Sequence, residues 1–301
     1  MITLFACPKP FEDPHISVIQ RNAIRSWTML GPEVQIILFG SEPGIAEVAD
    51  EFGCEHVPSV QRNDYGTPLL NDVFAQAESL ARHRCLGYVN ADIILMDDFV
   101  GAVKAVATLR RDFLLGGRPW NLDVASPVDF CSGWQRSLTK TVRASSNLRS
   151  ENACDYFVFP KLMWKRLPPF VIGRCYFDGA LLYRARKQGA LLIDGTDSIV
   201  AVHQQHEYER SVGGENYLVN PEALANVALA GGFGHLYTWR NAAYRLSVDR
   251  IERSWRGTLN VLGPWSRSRR TFRGWIWHPF LRATRPLRHL LGLRSRRRCD
   301  P

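Results

Sequence analysis

The 301-residue sequence contains no apolar run near the roughly 20 residues that a membrane-spanning helix needs. It contains no Cys-x-x-Cys pair. Cys7, Cys54, Cys85, Cys131, Cys154, Cys175 and Cys299 are scattered and odd in number, which argues against a disulfide framework or a structural zinc site and for isolated thiols. The start lacks a basic stretch followed by a long apolar one: Met1-Ile-Thr-Leu-Phe-Ala-Cys7 reads straight into a strand, so no signal peptide is expected and the chain is expected on the cytoplasmic side. No glycine precedes Gly31, so nothing like a glycine-rich phosphate loop follows that first strand. Lysine is missing from residues 236–301.

What stands there instead is arginine. Residues 236–301 hold 16 arginines and three acids, a balance of +13, while residues 1–235 carry 22 basic and 26 acidic residues, a balance of −4. The overall +9 therefore averages a mildly acidic body and a strongly basic end. A basic end of this kind is built to meet something anionic, a membrane surface or nucleic acid. Within residues 265–298 the arginines are interleaved with Trp265, Phe272, Trp275, Trp277 and Phe280, and Arg282, Arg285 and Arg288 recur at helical spacing. That is how an interfacial membrane segment reads, although Pro279 and Pro286 divide it into short pieces; a solvated basic tail is the plainer alternative. No nucleic-acid recognition motif accompanies the charge, so nucleic acid is not expected as a partner.

Residues 1–205 alternate strand and helix signals, the pattern of a mostly parallel α/β sheet. Strands are expected at Ile2–Ala6, Val34–Phe39, Leu86–Asn90, Phe113–Gly116, Tyr156–Phe159, Leu191–Ile193 and Ile199–Val202. Helices are expected at His15–Leu30, Pro43–Phe52, Pro68–Ala81, Phe99–Leu109 (with Asp97 and Asp98 at its N-cap) and Phe177–Gln188. The Ser-rich stretch 120–154 reads as a long loop or small insertion. This gives a catalytic domain over 1–210, a helical part over 211–264 packing on it, and a basic amphipathic tail over 265–301.

Chemistry concentrates at three places. In Tyr88-Val-Asn-Ala-Asp92 a strand delivers Asn90 and Asp92 to its C-terminal end, where ligands bind in open α/β sheets. If the segment stays extended, residues i and i+2 point the same way, so both oxygens can address one Mg²⁺ or Mn²⁺ carrying a diphosphate. Asp178-Gly-Ala-Leu181-Leu-Tyr-Arg184, with Gly189 beyond, has the form D-x-x-L-x-x-R-x-x-x-x-G, and a later strand ends in Val200-Ala-Val-His203. Asp178 is a candidate general base, or a helix N-cap. His203 is a candidate metal or diphosphate ligand, or a structural histidine; His206 is a weaker ligand candidate or faces the acceptor.

In order and spacing these motifs resemble the family-2 type of GT-A glycosyltransferases. Gly66-Thr-Pro-Leu-Leu-Asn71 followed by a helix and Gly87-Tyr-Val-Asn-Ala-Asp92 extends the resemblance over residues 1–210, and Tyr65-Gly66-Thr67 with Gln204-Gln205-His206-Glu207-Tyr208 resembles a bacterial subgroup of nucleotide-diphospho-sugar transferases. The resemblance implies a GT-A, Rossmann-like fold with a basic helical C-terminal extension. It further implies a nucleotide diphosphate sugar donor, a glycan or lipid-linked acceptor, a Mn²⁺ or Mg²⁺ cofactor, Asp178 as the base of an inverting transfer, and Asp92 with His203 at the metal. Two positions depart from the family: Asn90 stands for the first carboxylate of its D-x-D, and Phe177 for the glutamate of its E-D pair. On the donor side the candidates are Lys9 in Cys7-Pro-Lys-Pro10, Asp64, Asn71 and Asn90, with a simple turn as the alternative for Lys9. Arg118 and Trp120 are candidates for the sugar or acceptor pocket, with burial in the core the alternative for Trp120. A sugar-nucleotide pyrophosphorylase is the rival enzyme, disfavoured by Pro8-Lys-Pro10 where its glycine-rich loop belongs. A non-catalytic anion- or membrane-binding protein is the other rival, and it leaves Asp92, Asp178 and His203 unexplained.

Overall fold

The computed structural model describes residues 1–124, 126–206, 218–248, 250–255 and 257. The basic tail expected over 265–301 lies outside them.

The chain runs β1 (Ile2–Ala6), α1 (Pro14–Thr28), β2 (Val34–Phe39), α2 (Ile45–Phe52), β3 (Glu55–Val57), α3 (Leu70–Leu80), β4 (Cys85–Val89), β5 (Ile93–Ile94), α4 (Asp97–Ala107), β6 (Phe113–Gly116) and β7 (Trp120–Leu122). It continues with α5 (Trp134–Ser145), β8 (Asn147–Leu148), β9 (Tyr156–Pro160), α6 (Phe177–Lys187), β10 (Leu191–Asp194), β11 (Val202–Gln204), α7 (Pro221–Ala230), β12 (Tyr244–Ser247) and β13 (Arg250–Arg253). Nine strands form one sheet in the order β13-β12-β10-β6-β9-β4-β1-β2-β3. All run parallel except β9 and β13. The expected α/β architecture, a large and mostly parallel sheet flanked by helices, is thus the one observed.

Alternation along each strand assigns its side chains to two apolar layers. From β1, Ile2, Leu4 and Ala6 pack with Ala23, Ile24 and Trp27 of α1 and with Phe99, Ala102 and Val103 of α4. Phe5 points the other way, into a layer with Phe74 of α3 and Leu181 of α6. The second layer is aromatic: Phe74 stacks on Phe159 at 5.3 Å, and Phe5 meets both rings edge-on. At Gly179 only glycine fits, because a Cβ there would lie 2.9 Å from the Tyr237 carbonyl that closes over α6.

A second sheet, β5-β11-β7-β8, stands beyond the C-terminal edge of β4. It replaces much of the loop expected over 120–154. The residues of α5 are mostly polar, but Trp134, Leu138 and Val142 recur every fourth position and seat the helix on Ile94, Met96 and Val202. The strand expected at Ile199–Val202 lies two to three residues later, because Val202 and His203 pair with Ile94 and Ile93. Asp98 does not cap α4: its Oδ2 accepts the Val200 N–H at 2.8 Å and ties the two segments together. Residues 244–253, within the part expected to be helical, add two strands to the main sheet, with Ile193 opposite Tyr244. The six described cysteines are free thiols, and no helix of the described residues is long and apolar enough to cross a membrane.

The link between the two sheets is α1. Trp27, fully buried, donates its indole N–H to the Ile93 carbonyl at 2.9 Å, and Ser26 Oγ accepts the Leu95 N–H at 3.1 Å. Trp27→Phe should keep most of the packing and orphan the Ile93 carbonyl, lowering stability by about 1–3 kcal/mol. Trp27→Ala should cost about 3–5 kcal/mol. Urea unfolding of both variants measures the difference.

Candidate active site

The strand β4 ends at Val89, and the chain then turns, with the Ile93 N–H donating to the Asn90 carbonyl at 3.1 Å. The turn breaks the extended geometry on which a shared direction for Asn90 and Asp92 depends. Asn90 is engaged elsewhere: its backbone N–H donates to the Asp155 carbonyl at 2.9 Å and its Nδ2 to Asp155 Oδ1 at 3.1 Å.

Asp92 points instead at two imidazoles. Its Oδ2 lies 3.4 Å from His203 Nε2 and 3.0 Å from His206 Nε2. The three groups offer ligand atoms within 4.8 Å of one another. The register of the small sheet creates this group, since His203 on β11 lies opposite Ile93 on one side and Asn121 on the other. Asn121 Oδ1 sits 2.8 Å from His203 Nδ1, so the Nδ1–H donates there and Nε2 is the ring nitrogen that faces Asp92. Gln204, fully buried, fixes the other side: its Nε2 donates to the carbonyls of Asp92 at 3.1 Å and Ile19 at 2.7 Å, while its Oε1 accepts from Asn22 at 3.0 Å.

Burial opposes ionisation of Asp92, but the charges and hydrogen bonds of His203 and His206 outweigh it and hold the carboxyl well below the usual carboxylate range. Its Oδ1 is buried and accepts no hydrogen bond. A buried carboxylate oxygen without a donor is a costly arrangement for a protein alone and a suitable one for a cation. Two imidazole nitrogens and one carboxylate therefore fit a divalent ion, with His206 joining the expected pair of Asp92 and His203.

Asp155 lies next to this group, and Asp178 in turn lies near enough to Asp155 to feel its charge. Asp155, buried just ahead of β9, is pushed up by its burial, an effect that Arg149, at 3.4 Å, partly offsets. Asp178 lies in the first turn of α6, preceded by Tyr176 in the left-handed region at φ 81°. Its Oδ1 accepts the Gly179 N–H at 2.8 Å. Burial pushes Asp178 up to about 7, against that hydrogen bond and helped by the negative charge of Asp155.

No protein-family model matches this chain, and no curated protein matches it. Among solved structures it is similar to glucosyl-3-phosphoglycerate synthase from Mycobacterium tuberculosis in complex with Mg²⁺ and uridine diphosphate, at 12% identity and a TM-score of 0.46, over 77% of this chain and 80% of that one. It is similar to TarS from S. aureus in complex with UDP-GlcNAc, at 8% identity and a TM-score of 0.49, over 76% of this chain and 65% of that one. A third is the mannosyltransferase PcManGT from Pyrobaculum calidifontis in complex with GDP-Man and Mn²⁺, at 13% identity and a TM-score of 0.42, over 71% of this chain and 58% of that one. With TM-scores below 0.5 the likeness is one of general fold, and it assigns no role to any residue here.

The donor-side candidates are more dispersed. Lys9 is exposed on the turn after β1, its backbone held from both sides by Gln20 at 2.7 and 2.9 Å. Asp64 is exposed on a tight turn that its neighbour Asn63 organises by accepting the N–H groups of Tyr65 and Thr67. Asn71, in the first turn of α3, has a buried Oδ1 that accepts no hydrogen bond. Among the described residues no hydrogen bond joins Lys9, Asp64 or Asn71 to the Asp92 group. Arg118 donates its Nε to the Arg149 carbonyl at 2.6 Å, and Trp120 packs against the apolar cluster of the small sheet. Asp155 and Asn121 were passed over by sequence reasoning, and Gln204 stood only within a motif, without a role of its own. Only Asp155 carried a signal, a carboxylate directly before a predicted strand.

Asp178 gives a pH signature. Between pH about 4 and about 7 the folded chain keeps a proton that the unfolded chain has released, so its contribution to stability falls as pH rises through that window. Asp178→Asn removes this fall. In urea unfolding of the metal-free protein, stability of the variant minus that of the wild type should be more positive at pH about 8 than at pH about 4.5. An unchanged difference would put Asp178 in the ordinary carboxylate range.

Proposed function

We propose that the chain is a glycosyltransferase of the GT-A type that moves a sugar from a nucleotide diphosphate donor to an acceptor hydroxyl, with inversion at the anomeric carbon. The carrying observation is the Asp92–His203–His206 group beyond the C-terminal end of β4, linked through Asp155 to a raised carboxyl at Asp178. A pyrophosphorylase has no use for such a base beside a cation site.

Asp92, His203 and His206 would hold the metal, and the two imidazoles favour Mn²⁺ over Mg²⁺. Bound there, a divalent cation supplies positive charge to the donor diphosphate and to the charge that grows on it as the sugar departs. The chain's own residues do the rest. Asn121 keeps His203 in the tautomer that presents Nε2, and Gln204 holds the Asp92 backbone in register. Asp178 takes the acceptor hydroxyl proton on Oδ2, since Oδ1 is occupied by the Gly179 N–H. A carboxyl near 7 is a stronger base than an exposed aspartate yet remains substantially ionised at neutral pH. Asp155 sustains that raised value, and Arg149 keeps Asp155 from repelling the donor. Lys9, Asp64 and Asn71 stay the donor-side candidates of this reading, and Glu42, whose buried Oε2 accepts no hydrogen bond while its Oε1 accepts from Arg62, would add an acceptor for a nucleobase N–H. The +13 of residues 236–301 supports an acceptor presented at an anionic surface, a glycan or lipid-linked sugar of cell-surface polysaccharide synthesis, with the protein held peripherally on the cytoplasmic face.

The test is donor hydrolysis and transfer over a panel of nucleotide sugars, with and without Mn²⁺. Activity is expected to need the metal and to be lost in Asp92→Ala. Asp178→Asn should lower kcat about 10²-fold or more with donor affinity little changed. Full activity in EDTA, or a product that retains the donor's anomeric configuration, would contradict the reading.

A further inference from the structure

The helix α7 buries its two polar side chains, Glu222 and Asn226, beside the apolar Ala223 and Val227, while Leu224, Ala225, Ala228 and Leu229 face outward. The orientation is fixed by hydrogen bonds. Glu222 accepts from Asn63 Nδ2 at 2.7 Å and from Arg174 Nε at 2.5 Å. Asn226 accepts the Val171 N–H at 2.8 Å and donates to the carbonyls of Val171 and Cys175, each at 3.1 Å. Rolling the helix to hide its leucines would orphan all of these groups, at a cost of about 1–3 kcal/mol each.

The outward face continues past both ends of the helix. Val219 is 55% exposed and Phe233 57%, alongside Leu224 at 42% and Leu229 at 37%. A helix apolar on this side requires a cover. The charge beside it indicates which. Tyr183 on α6 stacks on His235 at 4.3 Å, two residues past Phe233, and Lys187 lies 5.9 Å over the Tyr183 ring. Arg186 follows the same end of α6, and α7 contributes no exposed acid. An apolar face with Lys187 and Arg186 at its Phe233 end, and Asp64 as the exposed acid nearest its other end, matches the interface of an anionic bilayer, where each basic residue adds about 1 kcal/mol. Tyr176 joins this face to the candidate base: its ring meets Phe233 edge-on at 5.6 Å, its hydroxyl donates to the Leu218 carbonyl at 3.1 Å, and Asp178 follows two residues later.

We infer that the outer face of α7, with Val219 and Phe233, is a membrane-seating surface that takes an anionic lipid bilayer. It is a second contact, on the folded body, in addition to any made by the basic C-terminal residues. It stands independently of the sugar-transfer reading, because vesicle binding is read without donor or acceptor.

The experiment is co-sedimentation of the full chain with vesicles of phosphatidylcholine and phosphatidylglycerol at low and high salt. It compares the wild type with Leu224→Gln, Leu229→Gln and Phe233→Gln combined. The substitutions leave the net charge unchanged, and all three sites are exposed. The salt-resistant part of binding is expected to fall about tenfold, with the salt-sensitive part and the melting temperature retained. Should the triple variant melt early, Leu229→Gln alone is read, with about a threefold fall expected. Wild-type binding at high salt in the variants would overturn the inference. So would a wild-type dimer in sedimentation velocity that the variant splits, since a second copy would then be the cover.

Discussion

The two sheets meet at one carboxylate. Asp92 stands just past the C-terminal end of β4, an interior strand of the main sheet, and both histidines that face it come from the segment that forms the small sheet. Nearly everything in the surroundings constrains that meeting. Trp27 and Ser26 bind the backbone on one side of Asp92, Gln204 binds Asp92 itself, and Asn121 sets the imidazole of His203. The helix α1 is thus less a cover for the main sheet than a clamp between the sheets. The unpaired Oδ1 of Asp92 fits this picture: one carboxylate oxygen faces the imidazoles and the other is buried without a hydrogen bond.

Electrostatics divides the labour among three carboxyls that share one edge. Asp92, beside two imidazoles, stays ionised; Asp178, buried and next to another acid, is pushed up to about 7. Environments that drive neighbouring carboxyls apart are how one site obtains both a permanent anion and a base that works at neutral pH. Asp155 is the link, bonded to Asn90 on the Asp92 side and raising Asp178 on the other. Its position depends on β9 running against its neighbours, which brings the start of that strand to the edge where the parallel strands end.

That reversal also explains what sequence could and could not show. The strands and helices of the main sheet were legible because their apolar periodicity is strong, and Asp92, Asp178 and His203 stood out as polar residues at element ends. Strand direction leaves no mark in sequence, so Asp155 read only as a residue before a strand. The small sheet is built from pieces of two and three residues, below the length at which period-two alternation registers, which hid Asn121 and the pairing that makes His203 and Asp92 neighbours. The role expected of Asn90 failed on geometry: a turn at 90–93 takes its side chain to Asp155. A helix within 211–264 was expected, but which side α7 buries was not legible, since hydrogen bonds of Glu222 and Asn226 set it.

The central claim is that Asp92, His203 and His206 form one cation site. Crystals grown with Mn²⁺ and a nucleoside diphosphate, measured by anomalous diffraction at the manganese edge, test it directly. The account predicts a single strong peak within bonding distance of the Asp92 carboxylate and of both Nε2 atoms, with the diphosphate completing the coordination. A diphosphate bound without a peak there, or a manganese held elsewhere while the three side chains keep their mutual hydrogen bonds, would contradict it.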